Sequence, residues 1–106
     1  MVYDPGALDA SLAAAVGNDA QLMGELRAAF VESAARQVDL MARARCDANW
    51  QYSASRLKSL AASFGAIGMI ELADEALDGA PGDPVVLRKL GLAIDDFTTT
   101  FRQSDF

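Results

Sequence analysis

Apolar residues recur along this chain at spacings of three and four, the period of a helix buried along one side. Asp4-Pro5 supplies an N-cap and a first-turn proline, and Leu8, Leu12 and Val16 follow before Gly17 ends the segment. Asn18 or Asp19 caps a second, much longer helix reaching to about Arg45, with Leu22, Leu26, Phe30, Ser33, Leu40 and Ala44 on one face. Asp47 caps a third, which turns Trp50, Ala54, Leu57, Ala61 and Phe64 inward and stops near Gly65. A fourth runs from about Ile67 to Leu77, with Ile70, Ala73 and Leu77 inward. Gly79-Ala80-Pro81-Gly82-Asp83 reads as a loop, and Asp83-Pro84 repeats the cap-plus-proline start. The last helix lines up Val86, Leu90, Ala93, Ile94, Phe97 and Phe101, while Thr98, Thr99 and Thr100 weaken its end and predict fraying.

No period-two alternation of useful length interrupts this pattern, so the fold class is all-α. Brief links make neighbouring helices antiparallel. The expected architecture is a single domain over residues 1–106: an up-down-up-down four-helix bundle preceded by a short N-terminal helix. One detail complicates the second helix. Gly24, Ala28, Val31, Ala35, Val38 and Ala42 form a further stripe, largely opposite the first. Either the short helix or a wide core covers it, or Ala28, Val31, Ala35 and Val38 are a seam for a partner or a second copy of the chain.

Composition narrows the chemistry. The chain has 106 residues, nine basic and fifteen acidic, for a net charge of −6. An acidic surface is repelled by phosphate backbones and anionic membranes, which argues against nucleic-acid and membrane partners. The longest uncharged run, Ser59 to Ile70, is shorter than the roughly 20 residues of a membrane span. Met1 to Pro5 shows neither the basic nor the apolar part of a signal peptide. Cys46 is the single cysteine and has no internal partner for a disulfide, which fits a reducing cytoplasm. Histidine is absent altogether. That removes the usual general base near neutral pH and the commonest metal ligand together.

The most specific stretch is Ala54-Ser55-Arg56-Leu57-Lys58-Ser59-Leu60-Ala61-Ala62-Ser63-Phe64-Gly65-Ala66. It resembles the signature helix of the histidine-containing phosphotransfer (HPt) domain family, His-x-Leu-Lys-Gly followed six residues on by Gly-Ala. Leu57-Lys58 and Gly65-Ala66 fall in register with that pattern, and Phe30, Asp47 and Leu72–Leu77 also fall where it suggests. Ser55 stands at the phospho-histidine position and Ser59 at the glycine position. The resemblance implies the same four-helix bundle, a lysine near the phosphoryl group, and a docking surface for a response-regulator receiver domain or a histidine kinase.

Stepping about 100° per residue puts Tyr52, Ser55, Ser59 and Ala62 on the solvent side, flanked by Arg56 and Lys58, with Trp50, Leu57, Ala61 and Phe64 opposite. A serine hydroxyl needs an activating base to act as a nucleophile, and its phosphate would be a stable monoester. No catalytic residue is therefore expected. The reading is a degenerate phosphotransfer domain in two-component signalling, docking a partner through Tyr52, Ser55, Arg56, Lys58, Ser59 and Ala62 without carrying phosphate. The alternative is a structural or oligomerisation bundle, a homodimer through the second-helix seam.

Other constellations are read as ordinary. Ser55-x-x-Lys58 formally matches the serine–lysine pair of penicillin-binding enzymes but lacks the companion motifs and the mixed scaffold. Glu71, Asp74, Glu75 and Asp78 crowd one helix face, and oxygen-ligand metal sites need ligands converging from a loop or several elements, so a solvated acidic face is expected and no metal or cofactor. Trp50, Phe30, Phe64, Phe97 and Phe101 read as core.

Overall fold

The computed structural model describes residues 19–104. It is all-helical, with no strand among the described residues. The second to fifth expected helices are present as α1 (Ala20–Arg43), α2 (Asp47–Phe64), α3 (Ile67–Asp78) and α4 (Pro84–Ser104). The expected helix over residues 4–17 and the side chain of Phe101 lie outside the described residues. Each helix packs against two others: α1 against α2 and α4, and α3 against the same pair, with α2–α3 the most extensive junction. This arrangement is compatible with a helical bundle. Among the described residues no helix is long and apolar enough to cross a membrane.

Local chemistry sets the ends. Asp19 Oδ1 accepts a hydrogen bond from the Leu22 amide at 2.9 Å, and Asp83 Oδ1 accepts one from Val85 at 2.9 Å, so both expected aspartate caps form. At α2 the expectation shifts by one residue. Cys46 holds the cap position with extended backbone and no side-chain bond, while Asp47 is the first helical residue. There its carboxylate still meets the positive end of the helix dipole.

The end of α2 depends on Gly65. Its φ of 71° is the left-handed conformation, in which a Cβ costs about 1–2 kcal/mol. That conformation lets Ala66 donate to the Ala61 carbonyl at 2.9 Å and Gly65 to Ala62 at 3.2 Å, and Ala61 and Ala66 pack together as buried residues. Gly82, with φ 79°, does the equivalent service after Pro81, in a turn closed by the Asp83 amide on the Ala80 carbonyl at 3.2 Å. The threonine run does not end α4, which continues to Ser104; the Thr98 hydroxyl bonds back to the Ile94 carbonyl at 3.0 Å.

The core joins all four helices. Phe30 meets Phe97 edge-on at 5.6 Å and Phe64 at 5.1 Å, which ties α1 to α4 and α2. The inward face of α1 differs from the expected one. Phe30, Ala34 and Met41 are buried, whereas Leu22 and Leu40 are 40% and 43% exposed. These three lie within about 40° of one another, Phe30 at the edge of the first stripe, where it was expected inward, and Ala34 and Met41 in the arc between the two. A core this wide draws the near edge of each stripe: Leu26 and Ala44 from one, Val31 and Val38 from the other. Ser33 is only half-buried, and Ala28, Ala35 and Ala42 stay exposed. The proposed seam is thus narrower than expected, because its valines already pack on their own core.

Helix α3 is also turned from its expected orientation. Met69, Leu72, Ala73 and Ala76 are buried, while Ile70 and Leu77 sit at the margin. That edge is tied to α2 by Trp50, whose indole Nε1 donates to the Ala76 carbonyl at 2.8 Å.

Candidate functional site

Helix α2 supplies the candidate surface, and its core side is complete. Trp50, Ala54, Leu57 and Ala61 are buried and Phe64 is half-buried, as the period predicts. Ser53 is buried as well, at 5% exposure, which the apolar pattern does not signal. With those residues turned inward, Tyr52, Ser55, Arg56, Lys58, Ser59 and Ala62 are all exposed.

The six do not form one patch. Tyr52, Ser55, Arg56 and Ser59 line a groove of about 360 Å³ together with Leu60 and Ser63. Arg56 lays its guanidinium 5.7 Å from the centre of the Tyr52 ring, a cation–π contact that props the ring at one end of the groove. Ser55, Ser59 and Ser63 follow one another at intervals of one turn. The Ser63 hydroxyl is committed to the Ser59 carbonyl at 3.0 Å. That register was visible in the chain; Leu60 and Ser63 could have been assigned to this face from it.

Lys58 and Ala62 fall on the other side of Ser55 and do not line the groove. Lys58 instead reaches across to α3, where its Nζ lies 2.8 Å from Asp74 Oδ1. Both side chains are nearly half exposed, so the pair is worth at most about 1 kcal/mol and its lysine can exchange partners readily. The groove is therefore edged by hydroxyls and arginine, and the lysine held by a carboxylate lies outside it. Nothing in this arrangement gives Ser55 a base. The lysine of the Ser55-x-x-Lys58 pair faces Asp74.

The acidic face of α3 is less solvated than its sequence suggests. Asp74 pairs with Lys58, and Glu75 takes Lys89 of α4 with both carboxylate oxygens at 3.1 Å, while Glu71 and Asp78 remain exposed. Half of the cluster thus links α3 to its neighbours. No group among the described residues could hold a metal ion.

A second groove, of about 390 Å³, opens on the other side of Tyr52 between the end of α1 and the start of α2. Leu40, Arg43, Ala44, Asn49, Tyr52 and Ser53 line it. Arg43 is bonded to Asp39 one turn earlier, and that hydrogen bond, helped by charge attraction, raises the guanidinium above its ordinary range. Periodicity alone placed Leu40 in the core and so concealed this groove. The chain matches no protein-family model, no curated protein and no solved structure.

Proposed function

We propose that this chain is a phosphotransfer-like domain that has kept a docking surface and lost its nucleophile. Links of three, two and five residues between successive helices favour antiparallel neighbours, and therefore the up-down-up-down order of such a domain. The observation that carries the reading is the face of α2. Ser55, at the position the resemblance gives to the histidine, is exposed above an intact core, beside a groove and one turn from the small side chain of Ser59.

A receiver domain, or a kinase presenting a similar surface, would meet that face through Tyr52, Ser55, Arg56 and Ser59, with Lys58 and Ala62 at the margin. Docking of this kind needs shape and exposed polar groups, and it does not need imidazole. Without histidine anywhere in the chain, the bound partner is held or competed for, and no phosphate moves.

Titration with receiver domains from the source organism tests the reading. At least one is expected to bind with submillimolar affinity and shift the amide resonances around Ser55. Ser59→Arg, which fills the groove at an exposed position, is expected to weaken that binding by about tenfold, equivalent to about 1.4 kcal/mol. A full panel that leaves the resonances of Tyr52 to Ser63 unmoved disproves it.

A further inference from the structure

Helix α4 keeps one face uncovered. Val86, Leu90, Ala93 and Phe97 are buried in the bundle, so the opposite side presents Val85, Arg88, Leu92, Asp95 and Thr99, spaced alternately by three and four. Two of these are large apolar side chains, Val85 at 50% exposure and Leu92 at 57%. Arg88 and Asp95 are exposed, and neither side chain has an ion-pair or hydrogen-bond partner among the described residues. Lys89, at the edge toward α3, is already held by Glu75. Asp96 adjoins Asp95 and enlarges the negative end of the face. Gly91, beside Leu92, has no role in the fold that would require it. Glycine weakens a helix interior, yet a Cβ at this position would meet nothing within 4 Å. The notch it leaves lets a second helix come close to the α4 backbone at that point.

The order of charges along this face decides what fits it. Arg88 lies about 6 Å before Leu92 along the helix axis, and Asp95 about 4.5 Å after it. Turning the face end for end exchanges the two signs and returns Leu92 to its own place. The face is therefore its own complement in antiparallel alignment, as a two-fold interface requires. We infer that α4 pairs with α4 of a second copy of the chain about a two-fold axis at Leu92. Leu92 packs on its counterpart, Arg88 of each copy meets Asp95 of the other, and Val85 lies against Thr99. The two exposed ion pairs set direction and register more than affinity, and the net charge of −6 on each copy keeps the dimer weak. Because α4 packs chiefly on α1 and α3, pairing through its outer face leaves the Ser55 groove of α2 open on both copies. The dimer does not depend on a receiver binding there.

The test is sedimentation equilibrium of the full chain under reducing conditions, from about 10 μM to about 1 mM. A reversible monomer–dimer equilibrium is expected within this range. Arg88→Asp and Asp95→Arg each bring like charges together twice, and each is expected to weaken the dimer roughly fivefold. Mixed in equal amounts, these two variants are expected to associate with each other about as tightly as the native chain does with itself, because every cross pair is again opposite in sign. Leu92→Glu is expected to leave only monomer. All three positions are exposed, so circular dichroism is expected to show the helices unchanged. The inference is overturned by a native chain that stays monomeric to about 1 mM, or by a dimer indifferent to Leu92→Glu or to either charge reversal. It is also overturned if the mixed variants fail to associate, or if Ala35→Glu on α1 dissolves a dimer that the α4 variants leave intact.

Discussion

Trp50→Ala is expected to lower the unfolding free energy by about 3–5 kcal/mol, a large part of the roughly 5–15 kcal/mol that holds a domain together. Trp50 is 1% exposed and is the largest fully buried side chain. Two separable losses make up the effect. Removing the indole vacates space in the core where α2 meets Ala76 of α3, and a close-packed interior refills such a space only in part. It also strands the Ala76 carbonyl, which accepts the 2.8 Å bond from Nε1 inside the core. Leaving a buried acceptor without a donor costs about 1–3 kcal/mol by itself. Trp50→Phe keeps most of the apolar contact and removes only the donor, so it is expected to cost the smaller amount. Urea denaturation followed by circular dichroism measures both. If the two substitutions cost the same, the hydrogen bond, and not the packing, fixes α3 on α2. If Phe costs nothing, the bond does not hold α3 on α2.

That bond also shows where sequence reasoning stops. Apart from the buried Ser53, the solvent and core sides of α2 were legible in the chain, because one helix with one apolar stripe leaves a single choice of orientation. Ser55, Ser59 and Tyr52 are outward and Leu57 and Ala61 inward, as their spacing requires. The caps at Asp19 and Asp83 and the stop at Gly65 were legible for a related reason, since each depends on two or three adjacent residues.

Helix α1 was different. Two apolar stripes on opposite sides leave its orientation undetermined, and the packing partners chose the arc between them, where Met41 and Ala34 sit. Leu40 then came to the surface and made a groove that no periodicity implies. Cross-helix pairs were likewise hidden. Lys58 and Asp74 lie sixteen positions apart, and only the packing of α3 on α2 brings them to 2.8 Å. What is local in the chain could be read from it. What depends on how one helix is turned against another could not.

Ser55→His combined with Ser59→Gly is expected to convert a chain that takes no label from a phosphorylated receiver domain into one that does. In the transfer, the bond between phosphorus and the receiver's aspartate oxygen breaks as a bond to the imidazole nitrogen forms. The carboxylate is left on the receiver, and the imidazole proton goes to solvent. Among the described residues no base is placed to take the proton of serine at this position, so the native chain is expected to stay unlabelled. The fold can carry both changes. Glycine within an exposed helix costs about 0.5–1 kcal/mol and histidine for serine less, and neither position touches the core. Lys58 is held from α3 by a pair worth at most about 1 kcal/mol, so a dianionic phosphoryl group arriving one turn away competes with Asp74 for it. Label on the native chain contradicts the loss of chemistry. Absence of label on the double variant, with the receiver still bound, means that the arrangement around residue 55 was lost along with the imidazole. Label on the double variant alone leaves the nucleophile as the one missing part, and the groove beside Ser55 as the surface on which a partner still lands.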